Sequence, residues 1–276
     1  DADSLTLPPK TVDTPSTRNA RARYYSAIAR LDAELGDVMA AVDAKLGRDH
    51  FFLFSSDHGA QWPFGKWNLY DTGTRTPLMV RWPGHTMPKT RTSAMVSWVD
   101  ILPTLVEVAG GQAPAEIDGR SFAAALDAGG KTFAGRSEIF TTHNNDGNFN
   151  VYPGRAVRTD RWKYIRNLHP QWLHTTHIDQ SRETGEGAYF PTWQRRAQTD
   201  PAAKRIVDAY YSRPAEELYD VVTDPAETRN LADDPRYASV VKDLRARVEG
   251  WRREQGDTRP VTRTPHLNRE RTARDN

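Results

Sequence analysis

Apolar residues along this chain keep two rhythms, and the change from one to the other divides it. Tyr24, Ile28, Leu31, Leu35, Val38, Val42 and Leu46 recur every three or four positions, which predicts an amphipathic helix over residues 19–46, stopped by Gly47. Residues 51–54 (FFLF) form a short, unbroken, β-favouring apolar run and predict a parallel strand covered on both faces. A second strand is expected at 78–82, closed by the Pro83-Gly84 turn. Asp100 is placed to cap a helix running through Leu102 and Leu105 to Val108, with Pro103 in its first turn and Gly110-Gly111 at its end. A shorter helix is expected after Ser121. This helix–strand alternation stops near residue 127, so Gly129-Gly130 is the expected boundary between a domain of residues 1–130 and one of residues 131–276.

Past that point the rhythm shortens. β-type runs at 137–140, 155–157, 161–165 and 217–221, with Thr159-Asp160 as a hairpin turn, precede a helix whose apolar face is Tyr237, Val240, Leu244, Val248 and Trp251. Several antiparallel strands and one long helix predict a small α+β unit. Residues 169–214, rich in Trp, His and Arg, show no clear period and read as an extended loop with one helix near 202–211.

Composition narrows the function classes. Hydrophobic residues make up 37% of the 276 and charged residues 27%, and no apolar run approaches the ~20 residues of a spanning helix, so no membrane span is expected. A formal charge of +2 gives no case for nucleic acid, and the basic residues between Arg252 and Arg274 read as a solvated tail. The absence of cysteine excludes a disulfide framework, a thiolate metal site and a cysteine nucleophile within this sequence. It does not assign a compartment. The sequence opens at Asp1 without an apolar leader, so a periplasmic or secreted location would depend on a signal peptide upstream.

The candidate chemistry lies in residues 51–84, FFLFSSDHGAQWPFGKWNLYDTGTRTPLMVRWPG. Asp57 and His58 follow the first strand, where open α/β sheets place their ligand sites, and offer a carboxylate oxygen beside an imidazole nitrogen, a pair suited to a divalent cation. Lys66 returns nine residues later as a point charge for a tetrahedral oxyanion. Each residue taken singly is matched as readily by an ordinary polar turn or a solvated lysine.

The longer context resembles the sulfatases of the alkaline phosphatase superfamily, whose segment reads strand, S-D-H/N-G, G-K, Y-D/E-x-G-x-R-x-P and then a strand ending W-P-G. Further similarity lies in Asp13-Thr14-Pro15, Tyr24-Tyr25-Ser26-Ala27-Ile28 and Leu31-Asp32 before it, and in residues 99–105 and 117–121 after it. Glu217-Leu218-Tyr219-Asp220, Asp224-Pro225, Glu227, Asn230-Leu231 and Asp234-Pro235 resemble the family's C-terminal end. The fold this implies is α/β, the C-terminal part of an alkaline-phosphatase-like sandwich with a smaller α+β subdomain of antiparallel sheet and long helix. The resemblance implies that Asp57 and His58 are metal ligands and that Lys66 contacts sulfate in the catalytic site. Arg75 has either a direct role or a loop-bracing one. The short spacing from Asp57 to Lys66, with Tyr152-Pro153-Gly154-Arg155, Val157-Arg158-Thr159 and Lys163-Tyr164, is most similar to the heparan N-sulfatase branch, which acts on N-sulfoglucosamine. Lys66, His143 and Arg155 are then the expected substrate-binding residues.

In such enzymes a formylglycine made from cysteine or serine attacks sulfur while metal and basic residues hold the sulfate oxygens. The partner implied is a sulfated carbohydrate or another small sulfate ester. The cofactor implied is a divalent metal, Ca²⁺ first, with Mn²⁺ or Zn²⁺ as alternatives because His58 is an imidazole where many arylsulfatases carry asparagine. The family's paired N-terminal aspartates and its C/S-x-P-x-R motif have no match here, so the expectation is a C-terminal portion, inactive alone, whose formylglycine belongs to sequence ahead of it. His58 also keeps phosphonate monoester or phosphodiester hydrolases and choline-sulfatase-like enzymes of the superfamily as alternatives. The absent nucleophile keeps a non-catalytic anion-binding protein as another.

Overall fold

The computed structural model describes residues 1–127, 135–146, 150–180 and 187–258. The expected boundary at Gly129-Gly130 and most of the basic tail lie outside these residues. In chain order the elements are α1 (Pro15–Leu46), β1 (Phe52–Ser55), α2 (Asp71–Thr74), β2 (Leu78–Arg81), α3 (Ile101–Val108), α4 (Ala123–Asp127), β3 (Glu138–His143), β4 (Gly154–Thr159), β5 (Trp162–Asn167), α5 (Phe190–Ala197), α6 (Pro201–Tyr211), β6 (Glu216–Asp220) and α7 (Ala238–Glu254). They form two compact units, one from Asp1–Ala29, His58–Arg75 and Phe140–Asn276, the other from Arg30–Asp57 and Thr76–Ile139. No helix among the described residues is long and apolar enough to cross a membrane.

The first unit contains most of a four-stranded sheet of order β3-β4-β5-β6. β4 and β5 pair antiparallel with Arg158 opposite Lys163, and β5 pairs antiparallel with β6 with Lys163 opposite Tyr219. Because strand side chains alternate, this register sorts them cleanly between two faces. Val157, Tyr164 and Leu218 face one way and join Val241, Leu244 and Val248 of α7 in a buried cluster. Ala156, Ile165 and Tyr219 face the other way, into a larger core with Trp62, Phe64 and Tyr70 and with Phe190, Trp193, Val207 and Tyr210 of α5 and α6. The segment bearing Lys66 therefore packs on the sheet face opposite α7.

Residues 169–214 are not an extended loop with a single helix. α5 and α6 pair in sequence, the second capped by Asp200, whose Oδ1 accepts from the Ala202 and Ala203 amides at 2.8 and 3.3 Å, with Pro201 at its first position. α5 escapes the periodicity because it has only eight residues, two of them, Phe190 and Trp193, buried aromatics. Trp193 Nε1 donates to Thr17 Oγ1 at 2.7 Å, joining α5 to the first turn of α1. That turn begins four residues before the apolar pattern because Thr14 Oγ1 accepts from the Thr17 amide at 3.2 Å, so a cap sets the start.

In the second unit the expected parallel strand is corrected. β1 pairs antiparallel with β2, with Phe52 opposite Arg81 and Ser55 opposite Leu78, and its four residues are half-buried. A continuous apolar run specifies a strand without specifying its direction, and the next strand in sequence supplies the ladder. Asp100 does not cap α3. Its carboxylate accepts from the Ser97 amide, closing the turn before the helix, and from the Arg120 amide, both at 2.8 Å, and pairs with Arg136. This unit leaves Leu31, Val38, Leu46, Met79, Trp98, Val99, Leu102 and Leu105 between 42 and 68% exposed.

Candidate functional site

The segment His58–Arg75 is a compact loop fixed mainly by its own backbone. The Trp62 and Lys66 amides both donate to Ala60 O, at 2.8 and 2.9 Å, and the Gly59 amide donates to Gly73 O at 2.9 Å. Phe64 and Trp67, on either side of Lys66, adopt left-handed φ values of 64 and 65°. Bulky side chains take that conformation only where the surroundings over-determine it, and such strain gathers at functional loops. Here the buried Phe64 ring lies within the aromatic core, and Thr72 Oγ1 donates to Phe64 O at 2.5 Å.

The turn at Trp67 carries Lys66 to a cluster of polar aromatics. Lys66 Nζ lies 4.9 Å from the Trp67 ring centroid, and Trp67 stacks on His177 at 5.1 Å while donating from Nε1 to Asp146 Oδ2 at 3.1 Å. Asn150 Nδ2 lies 3.1 Å from His177 Nδ1, and Asn150 O lies 2.9 Å from His143 Nε2. Lys66 and His143 thus belong to one contiguous network. Burial lowers the pKa of His143 despite its bond to the Asn150 carbonyl, which favours the neutral imidazole as donor.

Behind this network lie buried polar groups without a protein partner among the described residues: Asn150 Oδ1, Tyr152 Oη, His174 Nδ1, and Nε and Nη2 of Arg213. Tyr152 and His174 meet edge to face at 5.3 Å, and the Arg213 guanidinium stands 5.8 Å from the Tyr152 ring. Burial pushes the Tyr152 phenol up to about 12 and, with the Arg213 charge, holds His174 well below the usual imidazole range. Unsatisfied buried donors and acceptors in one place fit ordered water or a polar ligand group.

Arg155 is placed elsewhere. The β4 register turns it to the α7 face, where it is 2% exposed and its Nε and Nη2 donate to Asp257 at 2.6 and 2.8 Å. Its Nη1 donates to His143 O and Asn144 Oδ1 at 3.1 and 2.8 Å. Arg155 therefore reaches His143 through the backbone and is not brought to Lys66. Arg75 is exposed and follows α2, its amide donating to Asp71 O at 2.8 Å.

Asp57 is exposed and His58 half-buried. His58 Nδ1 lies 2.8 Å from Gly59 O, so in the tautomer donating that bond the lone pair is on Nε2, a common arrangement for metal-binding histidines. Two neighbouring donors of this chemistry fit part of a divalent-metal site. Among the described residues no group of three or more His, Cys, Asp or Glu could complete one. A cleft of 380 Å³ in the second unit, bordered by Pro103, Glu107 and Ile117, contains none of the predicted residues.

The sequence reading missed Trp67, Asn150, His174, His177 and Arg213. Only the unusual density of His and Trp in residues 169–177 signalled the histidines.

Residues 57–180 match the family described as N-sulphoglucosamine sulphohydrolase, C-terminal. An ulvan-active sulfatase of Formosa agariphila is 31% identical over 239 residues, covering 86% of this chain and 44% of that protein. The N-sulphoglucosamine sulphohydrolase of Homo sapiens is 31% identical over 264 residues, covering 89% of this chain and 50% of that one. A structure solved in complex with its substrate, D-glucosamine-2-N,6-O-disulfate, shares the fold with a TM-score of 0.62 at 22% identity, over 84% of this chain and 40% of its own. The chain spans about half the length of the curated relatives it matches.

Proposed function

The chain belongs to the sulfatase family, and from that membership we propose that it supplies metal- and anion-binding residues of an enzyme that removes sulfate from a sulfated sugar. The observation that carries this reading is the strained loop His58–Arg75, which delivers Lys66 to the Trp67, His177, Asn150 and His143 network. Lys66 places a cation beside aromatic and imidazole groups, and a positioned cation is what holding a sulfate oxyanion requires. His143, neutral and donating to Asn150 O, orders the far end of that network, and Arg155 braces the strand that carries it.

Asp57 and His58 would hold the divalent cation, Ca²⁺ in the first instance, with its remaining ligands from outside the described residues. When bound, the ion supplies Lewis-acid stabilisation of charge on the sulfate oxygens. The attacking group, a formylglycine by resemblance to the family, is assigned to sequence outside these 276 residues. The names of the relatives support glucosamine N-sulfate or the sulfate esters of ulvan as the substrate class.

The test is sulfate release by protein produced from the complete reading frame. Lys66→Ala is expected to lower kcat by about 10² or more, the scale for removing one oxyanion-stabilising donor. Wild-type turnover in that variant would overturn the role. A second reading, hydrolysis of a phosphodiester or phosphonate monoester, is favoured by the imidazole at His58. Rates on a sulfate ester and on the matching phosphodiester separate the two.

A further inference from the structure

The loop that carries His58 and Lys66 is itself held by one turn of helix. A Cβ built on Gly59 would fall 1.9 Å from Thr72 O, and one on Gly73 would fall 2.4 Å from Gly65 O. The α2 turn therefore touches the backbone next to both His58 and Lys66, with no room for a side chain between them.

That turn is pinned by buried charge that the proposed chemistry does not use. The Asp71 carboxylate lies 3.1 Å from Lys163 Nζ and 3.2 Å from Arg158 Nε, both on the sheet face that the loop covers. The Asp71 amide donates to Glu227 Oε2 at 2.7 Å, and Lys163 Nζ also donates to Thr74 Oγ1 at 3.3 Å. Lys163 is fully buried and Glu227 is 2% exposed, its backbone held at a φ of 53°. Lys10 fastens Glu227 from behind, donating from Nζ to Glu227 O at 3.0 Å while lying 4.0 Å from the Tyr70 ring centroid. Buried ion pairs contribute little net stability, because desolvation offsets their attraction, but they fix geometry.

We infer that Asp71 and Glu227 are positioning residues: they clamp the α2 turn so that it holds the backbone of His58 and Lys66 in one arrangement. The inference rests on the reading that those two residues act on sulfate, and a mechanical readout tests it independently of turnover.

Three variants of the protein from its complete reading frame decide the matter. Glu227→Ala removes the clamp, Glu227→Gln keeps an oxygen to accept from the Asp71 amide, and Val248→Ala weakens the distant α7 core. Glu227→Ala is expected to speed amide exchange across residues 58–75 by about tenfold or more while β4 and β5 stay within about threefold, the signature of a local opening. It should lower kcat by about 10 to 10² with little change in KM, the range for a small misplacement of catalytic groups. Glu227→Gln should restore both properties, and Val248→Ala should leave kcat unchanged despite its lower stability. Uniform or unchanged exchange in Glu227→Ala, or an equal loss of kcat in Val248→Ala, would overturn the inference. A wild-type protein that releases no sulfate would overturn the functional reading and leave exchange to decide the clamp.

Discussion

Glu227 gives the clamp a pH signature that can be worked out in advance. Burial raises its carboxyl from the ordinary 4.5 to about 7, against the pull of Lys163 and Lys10 and with Asp71 adding to the rise. A group that binds its proton more tightly when folded stabilises the fold most at pH below its unfolded value. That contribution therefore falls as pH climbs from 4.5 through 7 and stays lost above it, a difference of about 3 kcal/mol. Glu227→Gln reproduces the neutral form and keeps the acceptor for the Asp71 amide. Variant and wild type should be equally stable near pH 4.5, and the variant should lead by about 3 kcal/mol at pH 8. Urea unfolding followed by tryptophan fluorescence reports it, because Trp193 is 1% exposed in the same unit. Comparing the two proteins at each pH cancels the titration of every other group not coupled to this one. A difference that stays constant from pH 5 to 8, within about 0.5 kcal/mol, would refute the assignment of that titration to Glu227.

Lys10 should show the complementary limb: burial lowers its pKa from 10.5 to about 8, so its ionised form penalises the fold below 8 and the penalty fades towards 10.5. Lys10→Met is therefore expected to stabilise the protein at pH 7 and to lose that advantage by about pH 10.5, and an unchanged urea midpoint at both would contradict it. Arg136→Ala should destabilise by about 3 kcal/mol, because Asp100, 2% exposed, keeps its charge against burial through Arg136 and the Arg120 and Ser97 amides. A midpoint shift below about 0.5 kcal/mol would show that pair to be dispensable. A chain of residues 1–276 alone should bind ANS and self-associate through the exposed Leu31, Val38, Trp98 and Leu102 side chains. A monodisperse, ANS-silent sample would show that those side chains are covered in solution.

Much of the first unit was legible in the sequence because its signals are local. Short β-favouring runs placed β4, β5 and β6, and the expected α7 face shares Leu244 and Val248 with the buried one, where Val241 takes the place expected of Val240. The reading failed where tertiary contacts decide. A run such as Phe-Leu-Phe states that it will be a strand and not which neighbour will pair with it, so β1 proved antiparallel. The eight residues of α5 are too few for a period to emerge, and what holds them is the Trp193–Thr17 hydrogen bond across 176 positions.

The candidate site divides along the same line. Lys66 could be found because its motif is contiguous, whereas Trp67, Asn150 and His177 become neighbours only when the sheet and α5–α6 have folded around the loop. Arg155 shows the converse, a motif residue that the fold places away from Lys66. Arg155 and Arg158 lie three positions apart on β4, an odd spacing, and a strand sends successive side chains to opposite faces, so Arg155 is turned from the face that Arg158 and Lys163 share. The charged residues that matter to the loop are thus those one strand position out of phase with Arg155. A one-residue slip of β4 against β5 would turn Arg158 away from Asp71 and Val157 away from the α7 core together, so the contact on the α2 turn and the core behind the sheet depend on one register.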